Sequence, residues 1–384
     1  MLGPFSIDAY LPAFPEIARS LNATPLQVQQ TLTAYLFAYG AMMLWHGSIS
    51  DALGRRPVIL VSLFVFAIAS LGCAASYSIE YLWSFRALQG LSAGAGLVVG
   101  RAMIRDRFEG PEAQKLLSLV TMIFSVAPAI APIIGGWLHS LFNWHAIFLF
   151  LFLMTAVLLV VSYRLLPETH PIHRRQTLQA RYLASSYWGV FKDREAQLLS
   201  AVIAFNFAGL FLYVTSAPVF LIEHLHLGSS EFAWLFIPAV VGIFSGAFLS
   251  GRLAGKFSAG RTVGLGYILM FTAAAGNLLY HSLLPPQLPW SVLVIGIYTF
   301  GMSLTAPTVT LMMLELFPTK RGLVASFQGF TQTMMSAVVA GVISPLVSHH
   351  VVWLAIGQFS VLVAGFICWT LYRSVMRRKG RVNR

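Results

Sequence analysis

Apolar stretches of roughly 18 to 25 residues recur along the 384-residue chain with only short polar breaks between them. The runs fall near 1–18, 28–49, 58–77, 81–101, 116–141, 146–163, 197–222, 232–251, 262–281, 290–314, 322–347 and 351–372. Twelve membrane-spanning helices are predicted. They separate six and six around the longest polar stretch, Arg164 to Glu195, which reads as a linker with a short interfacial helix. The expected organisation is a first bundle over 1–165, a linker over 166–196, a second bundle over 197–373 and a basic tail over 374–384. The first run carries Asp8 and is short for a complete span, so the natural start is expected to lie upstream of Met1. No cleavable signal peptide is read there, because no basic region precedes the apolar residues.

Composition sharpens this picture. Only 10% of residues are Asp, Glu, Lys or Arg, against about a quarter in soluble domains, and 57% are hydrophobic. A net charge of +12 could indicate nucleic acid, so the placement of the basic residues decides. With a cytoplasmic N-terminus, 23 of the 25 Lys and Arg fall on the cytoplasmic side, leaving Arg19 opposite and Arg86 inside a span. That is the positive-inside pattern, with both termini cytoplasmic and no nucleic-acid partner. Cys73 and Cys368 both lie in apolar runs and read as small buried hydrophobes. His139, His145, His224, His226, His281, His349 and His350 gather in or near the outward loops without tight ligand spacing, so no metal is expected.

One junction concentrates the scarce charges. "LWHGSISDALGRRPVIL" sets Gly47, Asp51, Gly54, Arg55 and Arg56 between two apolar runs. Glycines permit a tight turn and close helix approach, and an acid beside two bases can tie neighbouring helix ends by charge pairing. This resembles the signature loop between helices 2 and 3 of the major facilitator superfamily. "LGPFSIDAYLPAFPEI", with Pro12 and Pro15, resembles the first-helix motif of the twelve-span drug:proton antiporters. "RALQGLSAGAG" is similar to the fourth-helix motif with its intramembrane arginine, and "APAIAPIIGG" to the antiporter motif of helix 5, with Ala127 in place of the usual glycine. Together with "RDRFEGPEAQKLLSL" and "PETH", these are similar to the bicyclomycin/chloramphenicol-resistance (Bcr/CflA) group. "GRLAGKFSAGR" holds the equivalent junction of the second half and lacks the aspartate, as in a degenerate repeat.

The resemblance implies an all-α integral membrane protein of the major facilitator fold, a monomer in the bacterial inner membrane. It implies export of small-molecule drugs or metabolites in exchange for protons, with the proton gradient as energy source and no cofactor. Asp8 is the only acid deep in an apolar run and Arg86 the only base there, so both are candidate proton-coupling residues. By the family fold they lie on cavity-lining helices, where they can pair or compete for a ligand. Asp8 has a second reading, as a carboxyl satisfied by backbone or tyrosine donors in a broken helix, and Arg86 a second reading as a scaffold. Tyr35, Tyr39, Phe205, Tyr213, Tyr298 and Met302 belong to helices expected to line the cavity and suit bulky apolar or cationic ligands. Gln89, Asn206, Gln328 and Gln332 are polar residues within spans, either substrate contacts or interhelical glue. Glu223 and Glu315 sit at span ends and read as interfacial.

A gating role follows from the resemblance for Gly47, Asp51, Gly54, Arg55 and Arg56. Asp51 is expected to reach the end of helix 4 near Arg101 and Arg105, and the start of helix 11. Pro128 and Pro132 are expected to bend helix 5, and Gly135 and Gly136 to let it pack tightly. A channel is disfavoured by the two-half organisation, and an enzyme by the lack of any nucleophile, metal or nucleotide motif. A proton-coupled symporter or uniporter of a small metabolite on the same fold stands as the alternative.

Overall fold

The computed structural model describes residues 2–172, 175, 180–253, 255–318 and 320–379, and no strand occurs among them. The linker residue Arg174 and the last five residues of the expected basic tail lie outside the described residues. Nine described helices are long and apolar enough to cross a membrane. The other three expected spans are the first, which is broken, the second, which is split, and the fifth, of which Val126–Leu141 qualifies as a shorter apolar helix.

Contacts divide the chain into two units. The first takes Met1–Ala184 with Ser229–Glu231, and the second takes Ser185–Gly228 with Phe232–Arg384. The expected linker is therefore shared, with the division falling inside its helix.

In the first unit the opening span is made of α1 (Leu2–Asp8), a 3-10 turn (Leu11–Ala13) and α2 (Phe14–Ser20). Pro12 and Pro15 lack the N–H groups that a continuous helix would use, which breaks the span directly after Asp8. The second span is α3 (Pro25–Met43) and α4 (His46–Leu53). It starts on a reciprocal cap, in which Thr24 Oγ1 accepts from the Gln27 backbone N–H (3.2 Å) and Gln27 Oε1 from that of Thr24 (2.8 Å). Next come α5 (Arg55–Ala74), α6 (Ile79–Ala93), α7 (Ala95–Arg107), α8 (Gly110–Leu141) and α9 (Trp144–Leu165). Gly47 and Asp51 lie on α4 rather than in a loop. The reversal is concentrated at Gly54, whose φ of 101° belongs to the region that favours glycine.

The linker helix α10 (Ala180–Lys192) enters the second unit from Ser185 on, followed by α11 (Arg194–Thr215) with a π-helical extension (Pro218–His224), α12 (Ala233–Leu253), α13 (Ala259–Leu283) and α14 (Trp290–Leu316). It ends with α15 (Arg321–Val338), a π turn (Val339–Ile343), α16 (Ser344–Val347) and α17 (Val351–Arg378). Asp193 caps α11, its Oδ1 accepting from the Ala196 N–H at 2.9 Å.

The two units repeat one packing scheme. In the first, α1 packs on α8 and α9, α3 on α6, and α5 on α6 and α9. In the second, α11 packs on α15 and α17, α12 on α14, and α13 on α14 and α17. These are corresponding pairs of a six-helix repeat, so the degenerate repeat of the sequence is a repeat of contacts.

Within a unit the helices differ in which side is covered. Along α9 the buried residues are Trp144, Ile147, Phe148, Leu151 and Thr155, one stripe of helical period, while Leu153, Val157 and Val160 are exposed. Exposed aliphatic side chains in such number fit a hydrocarbon environment. In α11 burial runs around the helix, as expected of the element that packs on α14, α15 and α17.

Gly135 and Gly136 place α8 against backbone. A Cβ on Gly135 would overlap the Ala9 carbonyl at the break of the first span, and one on Gly136 the Ser229 carbonyl. At the far end of the same helix pair, His139 Nε2 meets Glu16 Oε2 at 2.5 Å. Gly264 in α13, by contrast, has nothing within 4 Å of its Cβ position. We expect Gly135→Ala to lower the stability of the detergent-solubilised protein by about 1 to 3 kcal/mol through overpacking. Gly264→Ala should be neutral or stabilising by less than about 1 kcal/mol. Thermal unfolding of the two variants side by side checks both.

Candidate functional site

Arg86 is fully buried in the first unit. Its Nη1 donates to Gln89 Oε1 at 2.8 Å, one turn further along α6. Gln89 Nε2 in turn donates to Ser70 Oγ at 2.8 Å, and Ser70 to the Phe66 carbonyl at 2.7 Å. The guanidinium lies between two aromatic faces, with its carbon 4.3 Å from the Tyr10 ring centroid and 4.4 Å from that of Tyr35. Each ring is held in place. The Tyr10 hydroxyl is 3.2 Å from Thr31 Oγ1, while the Tyr35 hydroxyl is 2.8 Å from Ser6 Oγ, and both of the latter can donate to the Gly3 carbonyl. Stacked cation–π contacts of this kind contribute about 2 kcal/mol when desolvated. The close approach of α6 to α3 that makes the sandwich possible depends on Gly90, where a Cβ would overlap the Tyr35 carbonyl.

Asp8 ends α1 at 5% exposure, just before the break that Gly135 supports. Sequence reasoning set Asp8 and Arg86 to pair or to compete. In the structure no ion pair among the described residues joins them, and Tyr35 lies within electrostatic reach of both. The chemical consequence is a buried carboxyl with no ion-pair partner among the described residues, in the same bundle as a cation whose own contacts are to neutral groups. Tyr35 and Tyr39 share one face of α3, with ring centroids 5.9 Å apart and planes at 15°. Tyr35 is buried and Tyr39 half-buried.

A second charged cluster forms at Gly54. Arg55 is buried and donates to Asp51 Oδ1 at 2.5 Å, Asp106 Oδ2 at 3.0 Å and Ser50 Oγ at 2.6 Å. Asp51 is thus satisfied within its own junction. The contribution from the end of the fourth span is the acid Asp106, and neither Arg101 nor Arg105 takes part in an ion pair among the described residues. Glu168 completes the cluster from the segment after α9. Its carboxylate accepts the backbone N–H groups of Arg55 (3.0 Å), Arg56 (3.3 Å) and His170 (2.8 Å), which caps the N-terminus of α5 from 113 residues away. Thr169 Oγ1 donates to Asp106 Oδ2 at 3.1 Å. Arg56 Nη2 reaches the Tyr163 carbonyl at 2.7 Å. A Cβ at Gly54 would strike both Glu168 and Arg175, so the glycine is required for room as well as for φ. Partial burial works to raise the Glu168 carboxyl, but the backbone donors of His170, Arg55, Arg56 and Thr169 outweigh it and hold the group below its usual value.

Sequence reasoning missed Asp106, Glu168 and Thr169. The signal was present, since "RDRF" and "PETH" both place an acid at the same basic edge as Gly54.

In the second unit the candidates serve internal bonds. Tyr298 donates its hydroxyl to the Asn206 carbonyl at 2.9 Å, and the Tyr213 hydroxyl accepts from Asn277 Nδ2 at 2.6 Å. The same Nδ2 reaches Gln358 Oε1 at 3.0 Å, making a buried network that sequence reasoning did not pick out because Asn277 and Gln358 are isolated polar residues. Gln328 Nε2 donates to Thr310 Oγ1 at 3.0 Å, Met302 is buried and Phe205 half-buried. A cavity of about 330 Å³ in the first unit opens among Phe66, Ser92, Gly96, Leu97, Leu158 and Ser162, and none of the expected substrate-contacting residues lines it.

Residues 1–340 match the family profile of the Major Facilitator Superfamily. The chain is 33% identical to the bicyclomycin resistance protein homolog of Haemophilus influenzae over 67% of its own length and 65% of that protein. It is 30% identical to multidrug resistance protein D of Escherichia coli K12 over 99% of its length and 95% of that chain. These relatives match the Bcr/CflA group named from the motifs. The crystal structure of the human organic anion transporter MFSD10 (TETRAN) superposes with a TM-score of 0.63 at 19% identity, over 97% of this chain and 93% of the other, a likeness of fold.

Two outcomes follow from the geometry. Gln89→Leu should destabilise the protein by roughly 1.5 to 3 kcal/mol, because it removes a hydrogen bond to a buried charge, and thermal unfolding reads the loss. For Glu168 the sign is that of a lowered carboxyl. Its stabilisation is fully present above the unfolded value near pH 4.3 and is lost as pH falls through the folded value, so Glu168→Gln should flatten the acid limb of the stability profile.

Proposed function

Because the chain belongs to the major facilitator superfamily, a family of membrane transporters, we propose that it is a proton-coupled exporter of small apolar or amphipathic compounds. It works by alternating access, as a monomer in the bacterial inner membrane, with both termini and the Gly54 cluster on the cytoplasmic side. The names of the two bacterial relatives, for bicyclomycin and multidrug resistance, support the substrate class. The placement of 23 of 25 basic residues supports the orientation.

The observation that carries the coupling is Asp8, a buried carboxyl with no ion-pair partner among the described residues, at a helix break packed against Gly135. With its proton on, Asp8 is neutral and the first span closes against α8. When the proton leaves, an uncompensated carboxylate remains in the interior, where charge is costly, and the buried cation of the same bundle that can offset it is the guanidinium of Arg86. Moving toward Arg86 requires the break after Asp8 to flex and Tyr35 to yield, which links protonation to the shape of the first bundle. Substrate that occupies the tyrosine face of Tyr35 and Tyr39 competes with that movement. No cofactor is needed, since each pH unit contributes about 1.36 kcal/mol per proton and each 100 mV about 2.3 kcal/mol per charge.

The Gly54 cluster then acts as the inner latch. Asp51, Arg55, Asp106 and Glu168 hold the ends of three spans and the linker in one arrangement, and charges at an aqueous edge can exchange partners at low cost.

Drug-triggered proton release from the detergent-solubilised protein tests the coupling, with antibiotics and lipophilic dyes as ligands. We expect release by the wild type and at least a tenfold smaller release by Asp8→Asn with binding retained. Equal release from both proteins moves the coupling site away from Asp8. Binding without release from either is the result of a uniporter.

A further inference from the structure

The linker helix α10 presents a face that the transport reading does not use. Ser186 and Val190 turn into the second unit, and the Phe191 ring meets Phe327 edge-on at 6.4 Å, so the helix is seated. Trp188 is 56% exposed, and Phe191, although it meets Phe327, is still 49% exposed, the two rings stacked at 5.6 Å and 17°. Lys192 completes this i, i+3, i+4 face, with Nζ 5.1 Å from the Trp188 ring. An exposed aromatic pair topped by a cation on a strongly amphipathic helix is the arrangement that lies in the headgroup layer of a bilayer.

The charges around it point to one occupant. Two acids stand next to Lys192 in the chain, and both are consumed internally: Asp193 caps α11, and the buried Glu195 takes Lys379 Nζ at 2.5 Å. The second contact also brings the end of α17 to the start of α11. Lys192, Arg194, Arg373, Arg377 and Arg378 are left exposed at this end of the second unit, with no ion pair among the described residues. Lys192 thus stands on the aromatic pair, and the Glu195–Lys379 contact ties the end of α17, which carries Arg373, Arg377 and Arg378, to the start of α11 that directly follows α10.

We propose that α10 and the end of α17 form a binding site for an anionic phospholipid of the inner leaflet. The acyl chain lies along Trp188 and Phe191, and the phosphate is held by Lys192, Arg194 and Arg377. The assignment of the leaflet rests on the orientation given above, whereas the site itself does not depend on transport.

Native mass spectrometry of the full chain released from detergent tests it, with phosphatidylglycerol and phosphatidylethanolamine of identical chains as probes. Wild type should retain phosphatidylglycerol in preference. Lys192→Glu combined with Arg377→Glu should lower that retention by about fivefold per charge or more. Lys192→Arg with Arg377→Lys should restore it, and Trp188→Ala should weaken both lipids. Equal retention of the two lipids by wild type overturns the proposal, as does full retention by the charge-reversed variant. Displacement of the lipid by glycerol 3-phosphate overturns it too, by showing a soluble-anion site. Asp8→Asn should bind phosphatidylglycerol like wild type, which separates a failure here from a failure of the coupling reading.

Discussion

The Arg86 guanidinium brings a permanent charge into the interior of the first bundle, where neither lipid nor water solvates it. Much of the local structure answers that requirement. Gln89 and Ser70 relay one edge of the cation to a backbone carbonyl. Tyr10 and Tyr35 cover its faces from the first and second spans. Thr31, Ser6 and the Gly3 carbonyl fix those rings, and Gly90 lets α3 come near enough for the sandwich to close. Four spans are thereby registered to one charge.

The same requirement explains why the acid nearby is informative. The contacts of Arg86 are to neutral groups, with Nε and Nη2 lacking a hydrogen-bond partner among the described residues, and Asp8 is joined to no cation in an ion pair among them although a cation lies in the same bundle. A carboxyl in that position becomes an uncompensated charge when it loses its proton, and the cost of the loss is felt at the helix break beside it and at the Tyr35 ring that covers Arg86. Gly135 joins this break to α8 by backbone contact, so the residues that resemble an antiporter motif act here through packing. At the basic edge the chemistry differs in kind. Asp51, Arg55, Asp106 and Glu168 interact near water, where partners can be exchanged, and the chain uses a cap delivered from beyond α9 to hold the start of α5.

Several features were legible in residues alone. The six-and-six hydropathy, the basic bias of alternate loops, the charge-rich junction at Gly54 and the isolation of Asp8 and Arg86 in apolar runs are all one-dimensional signals. Others were not. Asn277 and Gln358 each look like single polar residues, and only the adjacency of α13 and α17 makes them partners of Tyr213. Tyr213 and Tyr298 read as candidate ligand contacts, yet their hydroxyls are engaged inside the second unit. Gly47 and Gly54 look alike in the motif, but one sits in a helix and the other makes the turn.

The sequence by itself determined that the chain spans a membrane repeatedly, which edge is basic, and which ionisable residues lie in its interior. It could do so because the bilayer acts on composition and length, which a linear pattern records directly. Which apolar side chain faces lipid and which faces protein was decided only by the tertiary structure. The stripe from Trp144 to Thr155 and the exposed Leu153, Val157 and Val160 are equally hydrophobic, since the solvent outside is as apolar as the core, and polarity carries no mark of burial. The pairing of charges belongs to the same class. Asp8 and Arg86 are visible in the sequence as opposite charges, and only the structure shows that Arg86 contacts Tyr35 and Gln89 while no ion pair joins it to Asp8 among the described residues.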